Sequence, residues 1–212
     1  MSGKSVTSYN KIRKIGIFGG SFDPVHLGHT GLAEDAMKQA GLDKVIFIPA
    51  RLQPFKLDKK LTSGKDRFEL LKLATRENEG FEVSSYELNE NGISYSYLTM
   101  RAMQKQFGTD AKLYFITGTD AFLKIDQWKN AEELLTKYSY VIGTRPGYKQ
   151  EELKLCIKKI REAYNTEIIN IDNVQIDVSS TEIREILGRG DSAKGLISVE
   201  VERYIKEHGL YE

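Results

Sequence analysis

A single cysteine in 212 residues excludes an internal disulfide and any cysteine-built zinc site. Cys156 stands in the basic helical stretch Leu153–Lys159 and reads as a packed or half-exposed thiol, with no charge-based reason to be reactive. Neither sign of charge is in excess: 31 basic against 30 acidic residues leave a net charge of +1. A nucleic-acid binder normally carries a basic excess or stripe, so no nucleic-acid partner is expected, whereas a small anionic substrate needs only a local cluster. No apolar run approaches the roughly 20 residues of a membrane span. The polar stretch Met1–Lys14 lacks the apolar segment of a signal peptide. No membrane partner and a cytoplasmic location are therefore expected. Histidine is scarce, with three in all, and Trp128 is the sole tryptophan. A homo-oligomer is compatible with the sequence.

What is present is an alternation of short β-rich runs and longer helical stretches, with no internal repeat. Strands are predicted at Lys14–Gly19, Lys44–Pro49, Phe81–Ser85, Ala111–Thr117, Tyr138–Thr144 and Glu167–Ile171. Helices are predicted at Gly28–Gln39, stopped by Gly41, then Asp66–Asn78, Ser96–Phe107, Ala131–Lys137, Glu151–Tyr164, Thr181–Leu187 and Ser198–Glu207. Such alternation implies βαβ units: an α/β fold with a mostly parallel, doubly wound sheet, helices on both faces and a small C-terminal helical part. Residues 1–13 form a polar tail and 14–212 a single domain. Leu52–Gly64, with Pro54 and several charges but little periodicity, is the best candidate for a mobile loop. In open α/β sheets the ligand lies at the carboxyl ends of the strands, so the loops after the strands are the informative ones.

The first such loop reads Gly19-Gly20-Ser21-Phe22-Asp23-Pro24-Val25-His26-Leu27-Gly28-His29. Glycines let a backbone approach a ligand closely, and the following helix N-terminus offers N–H groups and partial positive charge to phosphate. His26 and His29 are one helical turn apart, so both imidazoles reach the same side and can donate to phosphate oxygens or steady the charge of departing pyrophosphate. A plain turn built on Asp23-Pro24 is the bland alternative. A metal pair is another, although no third ligand is near and only His208 remains elsewhere. The loop is neither GxGxxG nor GxxxxGK[ST], which argues against a dehydrogenase and a P-loop kinase.

The run Gly-x-Phe-Asp-Pro-x-His-x-Gly-His resembles the signature of the nucleotidyltransferase superfamily, whose HxGH element is shared with class I aminoacyl-tRNA synthetases. More narrowly, the chain from Lys14 onward resembles the bacterial nicotinate-mononucleotide adenylyltransferase family, and five further segments carry that resemblance. Asp177-Val178-Ser179-Ser180-Thr181-Glu182-Ile183-Arg184 is similar to the family's ISSTxIR element. Hydroxyls at a helix start with an arginine one turn in make a phosphate clamp, and Ser179 with Glu182 also has capping-box spacing. The resemblance implies that this element meets the β- and γ-phosphates of ATP. Gly118-Thr119-Asp120 resembles the G-x-D on the adenosine side, though Asp120 could equally cap the next helix. Trp128-Lys129 resembles the site of a tryptophan that stacks on the pyridine ring, against the plain alternative of a core tryptophan. Gly92–Thr99, with Tyr95 and Ser96, resembles the family's mononucleotide-binding G-x-SYT. Arg145-Pro146-Gly147 resembles its RPG turn. One departure is clear: Pro54-Phe55-Lys56 stands where the family has Pro-His-Lys. Phenylalanine cannot donate to phosphate, while Lys56 still supplies charge.

The resemblance implies a Rossmann-like fold and transfer of AMP from ATP to nicotinate mononucleotide, as a step of NAD biosynthesis. The implied catalytic residues are His26, His29 and Arg184. The implied ATP site adds Gly19, Gly20, Ser21, Phe22, Gly118, Asp120, Arg145, Ser179, Ser180 and Thr181. The implied mononucleotide site comprises Ser21, Lys56, Tyr95, Ser96, Trp128 and Lys129. Mg²⁺ is expected to be held mainly through the ATP phosphates rather than by protein ligands, with Asp23 open as a contact. Alternatives are an adenylyltransferase for nicotinamide mononucleotide or for another phosphorylated acceptor such as phosphopantetheine, and more remotely a non-catalytic nucleotide-binding regulator.

Overall fold

Strands buried on both faces need apolar residues at consecutive positions, and the strands here have them. The computed structural model describes residues 13–54, 61–144, 149–172 and 178–212. In chain order these form β1 (Arg13–Gly20), α1 (Leu27–Ala40), β2 (Lys44–Pro49), α2 (Gly64–Thr75), β3 (Phe81–Val83), α3 (Tyr86–Asn89), α4 (Ser96–Phe107) and β4 (Ala111–Gly118). There follow α5 (Thr119–Phe122), a 3₁₀ turn at Ile125–Gln127, α6 (Ala131–Lys137), β5 (Ser139–Thr144), α7 (Gln150–Tyr164), β6 (Ile168–Asp172), α8 (Ser180–Gly188) and α9 (Val199–Glu207). The six strands run β3-β2-β1-β4-β5-β6, every neighbouring pair parallel. That is the doubly wound Rossmann order, with its reversal between β1 and β4.

Side chains alternate across the sheet and feed two cores. Ile15 and Ile17 of β1, Ile46 and Ile48 of β2 and Leu113 and Phe115 of β4 meet α4–α7 on one face. Phe18, Val45, Phe47, Tyr114 and Ile116 meet α1, α2, α8 and α9 on the other. Gly16 lies where the packing is closest: a Cβ there would stand 2.7 Å from Ile116 Cδ1 and 2.9 Å from Leu42 Cδ1. Gly41 ends α1 in the left-handed conformation at φ 64°, a position glycine takes without steric cost.

The sheet is wholly rather than mostly parallel. α2 begins at Gly64, before the expected Asp66, because the Ser63 hydroxyl accepts the Asp66 N–H and caps the helix early. β3 stops at Val83, although Ser84 N–H still reaches Phe47 O at 2.9 Å. The short α3 has no counterpart among the expected helices. Cys156 is half-buried, and burial pushes its thiol upward, which suits the inert reading. Among the described residues no helix is long and apolar enough to cross a membrane.

Tyr140, on β5, is fully buried between Phe115 and Phe122, and among the described residues its hydroxyl has no hydrogen-bond partner. A buried unpaired hydroxyl costs stability. Tyr140→Phe is therefore expected to raise stability by about 1 kcal/mol. Denaturant unfolding of the pair checks this, and a clear loss of stability would mean that the hydroxyl is satisfied in solution.

Candidate active site

At the carboxyl edge of the sheet, β1 hands over to α1 through Ser21–His26. Two features force the path of this turn. Gly20 has no side chain because a Cβ would meet the Phe22 ring at 3.0 Å. Phe22 itself sits at φ 49°, a left-handed conformation that a bulky aromatic adopts only under constraint, at a cost of order 1–3 kcal/mol. Its ring is buried against Phe18, Phe47 and His29, and that burial offsets the strain. His26 caps α1, whose first turn holds no acidic side chain. Two first-turn N–H groups are already bonded: Leu27 donates to Leu196 O at 2.9 Å and His29 to His26 O at 2.8 Å. The His26 and His29 imidazoles stand together at this helix start. Their ring centroids lie 3.7 Å apart. His29 Nδ1 accepts the His26 backbone N–H at 3.3 Å, which places the His29 ring proton on Nε2.

Remote elements hold this turn. Arg67 of α2 is 2% exposed and donates from Nη1 to Ser21 O at 2.7 Å and from Nε to Thr62 O at 2.9 Å. Burial pulls its guanidinium below the usual range, and Asp23 opposes that pull. From α8, Arg184 Nη1 donates to Asp23 O at 2.6 Å and Ser180 Oγ to Pro24 O at 2.9 Å. The Asp23 carboxylate accepts the Tyr211 hydroxyl at 2.7 Å on one oxygen and the Thr62 N–H at 3.3 Å on the other. Ser21 Oγ is buried and, among the described residues, has no hydrogen-bond partner.

Beside the turn lies a cavity of about 670 Å³ that opens onto Gly19 and Gly20. Its walls include Tyr95 and Ser96 at the start of α4, Asp120 of α5, and Trp128 and Lys129 beyond the 3₁₀ turn. Trp128 is half-buried and stands edge-to-face on Phe115 at 5.4 Å, leaving it partly core and partly wall. Lys129 Nζ sits 4.5 Å from the Tyr95 ring centroid, within cation–π range. The buried Glu87 also lines the cavity and accepts the Thr99 hydroxyl at 2.5 Å. Burial pushes its carboxyl upward, while Thr99, Ser94 and Arg67 draw it back.

Gly19, Gly20, Tyr95, Ser96, Asp120, Trp128 and Lys129 thus share one cavity. His26, His29, Ser180 and Arg184 gather at the adjoining turn. Asp120 is not the cap of α5, a place that Gly118 takes, and its carboxylate meets Lys149 Nζ at 2.9 Å. Around Gly118 a Cβ would find open space. Ser179 and Glu182 form the anticipated capping box, and Thr181 Oγ1 accepts from Arg184 Nη2 at 3.3 Å. Phe55, Lys56, Arg145 and Asp177 lie outside the described residues. Sequence reasoning missed Arg67, Glu87 and Tyr211. A charged residue on an amphipathic helix and a penultimate tyrosine carry no local signal, although Glu87 stands five residues before Gly92 and could have been read with that segment.

A family model described as cytidylyltransferase-like matches residues 17–186. A probable nicotinate-nucleotide adenylyltransferase of Thermoanaerobacter sp. (strain X514) is 41% identical over 199 residues, covering 94% of each chain. One of the same name from Clostridium tetani is 38% identical over 200 residues, covering 94% of this chain and 100% of that one. Among solved structures, Plasmodium falciparum nicotinic acid mononucleotide adenylyltransferase complexed with NaAD superposes with a TM-score of 0.75 at 20% identity, covering 94% of this chain and 97% of that chain. At that identity the superposition speaks for the fold.

Proposed function

The chain belongs to the cytidylyltransferase-like family, among its nicotinate-nucleotide adenylyltransferases, and from that premise we propose that it transfers AMP from ATP to nicotinate mononucleotide. A phosphate oxygen of the mononucleotide attacks the α-phosphorus of ATP in line. The bond from that phosphorus to the β-phosphate bridge oxygen breaks, and the products are nicotinate adenine dinucleotide and pyrophosphate. The observation that carries this reading is the junction of a two-imidazole turn at a helix start with a cavity walled by Trp128 and Tyr95. Phosphate chemistry and an aromatic base platform stand side by side.

The attacking phosphate is already an anion, so the protein's task is placement and charge stabilisation. His26 and His29 steady the phosphates around the bond that breaks. Arg184 spends donors on Asp23 and Thr181, yet a guanidinium has five N–H groups and keeps others for phosphate. The Ser21 hydroxyl, which has no partner among the described residues, suits a ligand phosphate entering the turn. Gly118, Asp120, Ser179 and Thr181 complete the ATP side; Arg145 for ATP and Lys56 for the mononucleotide, both outside the described residues, are assigned by resemblance alone. Each Asp23 carboxylate oxygen already accepts one hydrogen bond, from Tyr211 or from Thr62. This donor set fits Mg²⁺ carried by ATP phosphates, where it supplies charge neutralisation. Residues 14–212 act as one catalytic unit, and the reaction runs in the cytoplasm, where ATP is supplied.

Mixing the protein with ATP, Mg²⁺ and a panel of phosphorylated acceptors, and following pyrophosphate, tests the reading. Release that depends on nicotinate mononucleotide is expected; release with phosphopantetheine alone, or none, refutes it. Within the same assay Trp128→Ala should weaken the mononucleotide by about 1–3 kcal/mol, the worth of aromatic stacking on a base, with ATP binding nearly unchanged. Equal weakening of both substrates, or an unfolded variant, assigns Trp128 to the core through its Phe115 contact.

A further inference from the structure

Asp23 is the most constrained group of the catalytic turn, and one constraint comes from the far end of the chain. Asp23 and Tyr211 are 188 residues apart, yet the tyrosine hydroxyl reaches the Asp23 carboxylate at 2.7 Å. The path to that contact is built locally. Beyond α9 and its cap His208, Gly209 takes φ 57°, with Leu210 N–H bonded to Ile205 O at 3.0 Å and Gly209 N–H to Lys206 O at 3.4 Å. This is the Schellman arrangement, which turns the chain back on the helix it leaves. Tyr211 then takes φ 69°, a left-handed conformation that a tyrosine keeps only where its surroundings demand it. Its ring packs on the core below α8 and α9, while the hydroxyl points to the turn. Burial and the neighbouring Asp23 hold the phenol well above its usual range, so it remains a donor.

Asp23 is 3% exposed and lies three residues before His26. Its carbonyl is gripped by Arg184, and its two carboxylate oxygens by Thr62 and Tyr211. Together these bonds fix both position and tilt of the peptide leading into α1. Core packing alone would require only the Tyr211 ring; the hydroxyl is what reaches the turn. We propose that Tyr211 is a positioning residue, whose hydroxyl on Asp23 sets the orientation of the Ser21–His26 turn and so aims His29 at the transferring phosphate. This rests on the adenylyltransferase reading given above.

The test is Tyr211→Phe, which keeps the ring and removes the hydroxyl, compared with Asp23→Asn and the double variant. Misplacing catalytic groups by a fraction of an ångström is costly, so kcat for the Phe variant should fall about ten- to a hundredfold, with KM for ATP changing little. The losses of the two single variants should not add in the double variant, because both break one contact. Independently of turnover, the imidazole NMR signals of His29 should shift in Tyr211→Phe. Unchanged kcat and unchanged His29 signals, even with a lower melting temperature, overturn the proposal. So does additivity of Tyr211→Phe and Asp23→Asn, which remains measurable by chemical shift if turnover is too low. If the parent protein releases no pyrophosphate with any acceptor while the His29 signals still respond to Tyr211→Phe, the function reading fails and the positioning role stands.

Discussion

Replacing His29 by alanine should lower kcat by roughly 10²–10³, the scale of losing one preorganised donor at a developing negative charge. The argument is geometric. His29 stands one turn into α1, and its Nδ1 is occupied by the His26 backbone N–H. The ring cannot rotate to offer the other nitrogen without breaking that bond, and the edge contact with Phe22 at 5.0 Å resists rotation as well. Nε2–H is thus aimed before substrate arrives, which is what makes a donor effective in a transition state rather than in binding alone. KM for ATP should move much less than kcat. His29→Gln, which sets an amide N–H near the place of Nε2, should recover part of the loss, whereas His29→Ala should not. Steady-state kinetics on the three proteins, with melting curves to show that each is folded, decide the point. Near-normal turnover of His29→Ala would remove His29 from the chemistry.

Much of this fold was legible because its signals are local. Lys44–Pro49 is an apolar β-branched run between charged flanks, and Ser96–Phe107 ends before Gly108; both elements lie where they were read. Parallel pairing also followed, since helices between strands leave little alternative. The turn between β1 and α1 was legible for a different reason: its residues are contiguous, so spacing alone brought His26 and His29 together. What escaped was the support. Arg67 reads as one more surface charge on α2, yet it is buried because the turn presents a backbone carbonyl that only a long donor can reach. Glu87 and Thr99 meet across twelve residues and a helix boundary. Tyr211 depends on the full closure of the sheet before it has a partner at all. Such contacts are products of topology, and periodicity within a short window does not contain them.

The second large effect concerns the acceptor. We expect kcat/KM for nicotinate mononucleotide to exceed that for nicotinamide mononucleotide by at least about 10²-fold, in line with the penalty for leaving buried donors unpaired. The two acceptors differ only in a carboxylate against a neutral amide. α4 begins at the cavity wall, with Tyr95 as its cap, no acidic side chain in its first turn and no side-chain cap bond. The N–H groups of Ser96 and Tyr97 precede the first backbone bond of that helix, which Leu98 N–H makes to Tyr95 O at 2.9 Å. A helix start of this kind favours an anion. An amide NH₂ placed there would face donors with nothing to accept them. Lys129, 4.5 Å from the Tyr95 ring, adds charge of the right sign, but it is exposed and screened by solvent. Lys129→Met should therefore cost only a few-fold of the preference, with the helix start supplying the rest. Glu87 works in the opposite direction on the same wall, but its Oε1 is turned to the Thr99 hydroxyl. Side-by-side kinetics with both acceptors at matched ATP settle the matter. Equal rates would mean that the α4 N–H groups do not meet the pyridine substituent. A preference for nicotinate that vanished in Lys129→Met would move the specificity from the backbone to that one side chain.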